Sequence, residues 1–301
     1  MVDRADGRRM AGEGVRETTG AAIAVVLVLQ VASSLLVNAV VFQGSVVSAL
    51  RRLHRATGGL IEPNVVANLV PLLVVVGFGV FLVARLRPAD LGLSRAGLPP
   101  ALAATAAFWL TLQIAFVLFG GGGVSLHPAW RDPGAGYVVG GVLGQLLGNA
   151  LAEEAVFRGF LFPQLLLKMR HRLTGRTAFV LAALASQIVF AVLHLPNRLL
   201  VKGFELGPSL AADQARLVVH GLVFLALFLA SRNLLVAVGV HALWNDPALL
   251  VASPGGVAHY LVVLGSSLAL TAALALLRRR RSAAPLPAAA ARRRTPPAIE
   301  E

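Results

Sequence analysis

Apolar windows of about 20 residues recur along this chain, the length a helix needs to cross ~30 Å of hydrocarbon. Within lipid every backbone N–H and C=O must find a partner in the protein itself, which restricts such segments to helices packed into a bundle. Charged residues are 14% of the 301, against about 25% in a soluble domain, so a water-soluble core is excluded. The expected fold is an all-α polytopic membrane helical bundle with about eight transmembrane helices.

Hydropathy places the spans at 21–42, 65–84, 98–119, 137–167, 177–195, 216–230, 234–252 and 257–277. Segment 137–167 is longer than the bilayer is thick, so a break, a strong tilt or an interfacial portion is expected there. Four units follow: a cytoplasmic N-terminal segment at 1–20, N-terminal transmembrane helices at 21–135, a transmembrane core at 136–278, and a basic tail at 279–301. The tail, rich in Ala, Pro and Arg, reads as disordered.

The formal net charge is +13, but the basic residues gather at span ends and in the tail, where they meet headgroups. No nucleic acid is expected as a partner; membrane lipids are. An even number of spans with Arg-rich flanks puts both termini in the cytoplasm and the chain in the cell membrane as a multi-pass protein. The loop with Arg51, Arg52 and Arg55 is the exception to that orientation. The sequence holds no cysteine, which removes disulfides, thiolate metal sites and a cysteine nucleophile together.

Gly136, Gly140, Gly144 and Gly148 recur every fourth residue and form a smooth helix stripe, suited to close packing within the chain or in a dimer. The glycine run at 120–123 is no phosphate loop, since no Gly-Lys-Ser/Thr follows.

Ionisable side chains at membrane depth are expensive and mark function. Glu153 and Glu154 lie in an apolar stretch, with Arg158 four residues after Glu154 in the favourable order for an intrahelical ion pair. Arg158 then holds Glu154 ionised. Adjacent carboxylates repel and burial opposes charge, so Glu153 is left to take up a proton as a general base. Gln145, Asn149 and Glu153 share one helix face. The ordinary reading, a salt bridge at a helix end, fits poorly with flanks of Leu, Ala and Phe.

His194 ends the fifth span one turn beyond Phe190, and His241 and Asn245 project together from the seventh. His54, His127, His171 and His259 fall in or near loops, and His220, with no partner at helical spacing, reads as a packing histidine. By arithmetic along the helices, Glu153 lies ~22 Å from Lys168 and His194 ~27 Å from Arg176, but His241 only ~13 Å from Arg232. The first two depths agree. The third requires a deeper connection or different span boundaries.

Glu-Glu-Ala-Val-Phe-Arg-Gly at 153–159, Phe-Ala-Val-Leu-His at 190–194 and His-Ala-Leu-Trp-Asn at 241–245 together resemble the three motifs of the CPBP intramembrane proteases. That family includes the type II CAAX prenyl endopeptidases and the bacterial Abi proteins, and the resemblance spans about residues 137–250. It implies hydrolysis of peptide bonds in membrane-anchored peptide or protein substrates by a glutamate-activated water. Glu153 would be the base, His194 would bind and polarise the water, and His241 with Asn245 would form an oxyanion hole. Glu154 and Arg158 would be the supporting ion pair. Two chemistries stay open: a metal-free glutamate mechanism, and a zinc site of Glu153, His194 and His241. A non-catalytic scaffold or bacteriocin-immunity protein of the same fold is the alternative. A small transporter is disfavoured, because no internal repeat links the two halves.

Overall fold

The computed structural model describes residues 15–119, 125–253 and 255–283. The glycine run at 120–123, most of the N-terminal segment and nearly all of the basic tail lie outside the described residues. Helices account for the architecture, and among the described residues β pairing is limited to one isolated bridge, Leu126 to Val251. The helices are α1 Gly20–Val41, α2 Gly44–Ala56, α3 Pro63–Val83, α4 Leu98–Phe119 and α5 Ala135–Arg170. They continue with α6 Gly175–Val192, α7 Leu195–Leu200, α8 Pro208–Ser231, α9 Leu234–Asn245 and α10 Gly256–Ala283.

Seven of the described segments are long and apolar enough to cross a membrane, and a multi-pass bundle follows. The seventh expected span, 234–252, is different. Its helix, α9, stops after 12 residues at Asn245, where Asp246 and Pro247 end it. The chain then runs on as irregular backbone, tolerated at membrane depth only where protein satisfies it. Here the Trp109 and Trp130 indoles donate to the carbonyls of Ala248 (3.2 Å) and Leu249 (2.8 Å). The Leu250 amide donates to Gln113 Oε1 at 2.8 Å, and its carbonyl accepts from the His127 amide at 2.7 Å.

Nearly every residue of α9 from Leu234 to Leu243 is buried, which suits a helix apolar on all sides. It packs in the centre of the bundle against α4, α5 and α8. Gly239 permits this, since a Cβ there would lie 1.9 Å from Thr105 Oγ1.

Helix α5 is unbroken over 36 residues, so of the expected break, strong tilt or interfacial portion it is not the break that accommodates its length. It relaxes instead through two wider π-type stretches, Gly144–Ala150 and Ala155–Leu161, on either side of Glu153 and Glu154. Its glycine stripe packs inside the chain. Gly136 and Gly140 face the carbonyls of Gly58 and Gly59, Gly144 faces Glu62, and Gly148 faces Asn64.

The bundle has two banks. At one, Arg16 pairs with Asp90 at 3.0 Å, Glu17 with Lys168 at 2.6 Å, and the Leu234 amide reaches the Gly92 carbonyl. Arg278 reaches the Leu229 carbonyl at this same bank, so both ends of the described chain lie there. The opposite bank carries α2, an expected loop that is a helix. Val46, Val47, Leu50 and Leu53 line one side of α2 and Arg51, Arg52 and Arg55 the other, with none buried, as in a helix lying in the membrane interface.

Candidate active site

Four elements converge on the acidic pair of α5. Arg158 and Glu154 are both fully buried, with Nη1 donating to Oε1 at 3.0 Å. The other Arg158 amino group donates to the Gly221 carbonyl of α8 at 3.2 Å. Phe190 and Phe224 cover the guanidinium plane, at 4.5 Å and 5.5 Å from their ring centres. An ion pair this deep is held by geometry and by its further partners, not by Coulomb attraction alone.

Glu154 Oε1 also meets His241 Nδ1 at 2.7 Å. A carboxylate beside a guanidinium only accepts, so Nδ1 of His241 carries the proton and donates. The imidazole is further fixed by stacking on Phe224 at 4.3 Å. His194 is set the same way from α6: its Nδ1 donates to the Phe190 carbonyl at 2.8 Å.

Both histidines therefore turn an unprotonated Nε2 inward in their neutral forms, and both face Glu153. His194 Nε2 lies 3.6 Å from Glu153 Oε1, and His241 Nε2 lies 3.7 Å from Oε2. Neither is a hydrogen bond, and Oε2 is buried with no partner. Three acceptors thus face one another. A water, with two protons to give, satisfies two of them, one on Glu153 and one on His194 Nε2.

Glu153, His194 and His241 line one cavity of about 640 Å³, together with Asn149 and Asn245. Asn245 is exposed, one helical turn from His241, and gives one N–H to Gln145 Oε1 at 3.0 Å. The expected metal set of Glu153, His194 and His241 comes close, but each imidazole approaches a different carboxylate oxygen. Among the described residues no three His, Cys, Asp or Glu side chains converge to hold an ion. The residues do not fit a preformed zinc centre, and no step below runs through one.

His220 packs against aromatic rings and also faces the cavity. It lines the cavity from α8, its ring 4.8 Å from Trp244 and 5.5 Å from Tyr260, with a buried Nε2 that has no hydrogen-bond partner. Its helical-spacing neighbours, Arg216 and Phe224, line the cavity too. That i±4 series was the available signal. Arg198 and Asp213 also line it and were not singled out. None of His54, His127, His171 and His259 lines the cavity.

Residues 135–246 match the family model described as type II CAAX prenyl endopeptidase Rce1-like. That segment runs from the start of α5 to the end of α9 and contains Glu153, Glu154, Arg158, His194, His241 and Asn245. Searches of curated proteins and of solved structures found no match.

Proposed function

We propose that this chain, a multi-pass membrane protein with a CAAX-protease-like domain at residues 135–246, cleaves membrane-anchored peptides or proteins with a water activated by Glu153. The observation that carries the reading is the unpaired Glu153 oxygen, buried at a cavity wall between two fixed Nε2 atoms.

The water lies among Glu153, His194 and His241. Glu153 takes one of its protons, His194 Nε2 accepts the other in a hydrogen bond, and the oxygen attacks the peptide carbonyl carbon. The C=O π pair moves to oxygen. Once His241 Nε2 has taken a proton from the cavity water, with Nδ1–H held by Glu154, it donates to that oxyanion, and the second N–H of Asn245 joins it. Collapse breaks the C–N bond, and the proton held by Glu153 passes to the leaving amine. Glu154 and Arg158 fix the tautomer and position of His241. Arg87, Lys168 and Arg278 at the bank of the chain ends support a cytoplasmic side for that bank, by the excess of basic residues found there in membrane proteins.

The test is turnover of a library of membrane-anchored peptides by purified wild type and Glu153→Gln, with metal content assayed in the same samples. Glu153→Gln removes the base while keeping shape, and turnover should fall to background in a protein that unfolds like wild type. Retained cleavage would remove Glu153 from the mechanism, and stoichiometric metal would require its redrawing. No cleavage by either protein would favour the non-catalytic scaffold or immunity reading.

A further inference from the structure

The cavity that holds Glu153 is not placed evenly between the two banks of the bundle. α1 and α6 rise from the bank of the chain ends, and they reach the cavity only late, α1 from Gln30 onward and α6 at Phe190. α3 and α10 start at the opposite bank, which carries α2, and they line the cavity no deeper than Pro71 and Tyr260. Among the described lining residues, those exposed to solvent are Val201, Lys202, Arg216 and Asn245. The first three stand on or beside the α7–α8 loop at the α2 bank, and Asn245 ends α9 on the side that points to it. The carboxamides of Asn38, Asn64, Asn68 and Asn149 follow inward, a polar lining that water can fill.

The other side of the acidic pair is closed. From Ala155 to Gln164 every residue of α5 is buried, about 15 Å of helix without an open face. Gly159 lies so close to Leu91 that a Cβ there would stand 3.0 Å from it. Beyond that, the Thr18 amide donates to Gln164 Oε1 at 2.9 Å, and Gln164 Nε2 donates to the Arg16 carbonyl at 2.8 Å. The chain at 16–18 is thereby tied across this end of α5. An interior packed to this density passes no peptide backbone.

We propose that substrate and water reach Glu153 from the α2 bank, opposite the chain ends, so that the polypeptides cut are exported chains, still anchored in the membrane, whose cut segment stands outside the cytoplasm. The choice of substrate rests on the hydrolytic reading of Glu153 and on a cytoplasmic bank of chain ends. The side of access rests on neither.

The absence of cysteine allows a direct test in the full-length protein, held in sealed membrane vesicles of either orientation. Single cysteines are introduced at Ala152 and Ser33, both buried in the cavity wall, at Glu205 in the exposed loop of the α2 bank, and at Arg172 at the bank of the chain ends. The probe is a small charged thiol reagent that does not cross lipid, added outside. In right-side-out vesicles Ala152→Cys, Ser33→Cys and Glu205→Cys should be labelled and Arg172→Cys should not. Inverted vesicles should show the reverse. Ser33→Cys is nearly isosteric and serves if Ala152→Cys does not fold. Cavity cysteines labelled from the same side as Arg172→Cys would overturn the side of access. All positions inverted together would put the mouth in the cytoplasm and overturn the exported substrate. A peptide cut by the purified protein, given a charged tag that keeps it outside, should be cleaved by right-side-out vesicles and left whole by inverted ones; the opposite result overturns the proposal. Labelling as expected from a protein that cuts no peptide upholds the side of access and removes the protease reading.

Discussion

Gly140→Ala tests the packing that brings α5 against the chain leading into α3. A Cβ at residue 140 would stand 1.9 Å from the Gly59 carbonyl oxygen, 2.9 Å from its carbon and 3.0 Å from Leu60 Cα. All three are backbone atoms, so no side chain can swing aside. Ordinary contact begins at 3.4 Å, so the segments must separate by 3.4 − 1.9 = 1.5 Å. Overpacking of this kind costs about 1–3 kcal/mol. The displaced segment continues into Asn64 and Asn68, both cavity-lining, so activity should suffer as well. A misplacement of about 1 Å in a site can cost ~10²-fold in rate. Gly265→Ala is the control, since that helical glycine has nothing within 4 Å of its Cβ position. It should be neutral or raise stability by up to about 1 kcal/mol. Unfolding midpoints of both variants and wild type, measured in one detergent, give the answer. Equal midpoints for Gly140→Ala and Gly265→Ala would refute the backbone contact.

Arg158→Met strips the fully buried Glu154 of its guanidinium partner, leaving it only His241, and should cost about 3–5 kcal/mol, seen as a lower unfolding midpoint and poor yield. Adding Glu154→Gln should recover part of that stability but not activity, because His241 loses its carboxylate partner; a double variant no more stable than Arg158→Met would break this account. Trp130→Phe removes the donor to the Leu249 carbonyl and should destabilise by about 1–3 kcal/mol in the same assay, with an unchanged midpoint arguing against a buried, protein-satisfied segment at 246–251.

The bundle could be read from the recurrence of apolar windows because lipid leaves the backbone so few choices. The acidic and imidazole groups could be read for a related reason: at membrane depth a charge needs a partner, and i+4 spacing named Arg158 for Glu154. The shortness of α9 was harder to see. Residues 234–252 form a nearly continuous apolar run, and hydropathy is blind to backbone hydrogen bonding. The signal was the pair Asp246 and Pro247, a helix stop hidden inside that run. What satisfies the chain beyond it comes from Gln113, Trp109, Trp130 and His127, distant in sequence. The Nδ1 partners of His194 and His241 were equally out of reach, since a backbone carbonyl and a carboxylate 87 residues away fix them.

The mounting of α9 bears on how this protein can be divided. One end of the helix is tied through Asn233 to the Gly97 carbonyl, and beyond the other end the chain is tied to α4 and the loop at 126–130. Those anchors lie outside the segment that matches the family, as does the stretch beneath the glycine stripe. Excised at its matched boundaries, 135–246 would keep every acid and imidazole yet lose what holds their helix at its depth. The likeness to the family therefore covers the acids and imidazoles, while the geometry that holds their helices also draws on Gly58–Asn64, Gly97, Trp109, Gln113, Trp130 and the chain at 248–250.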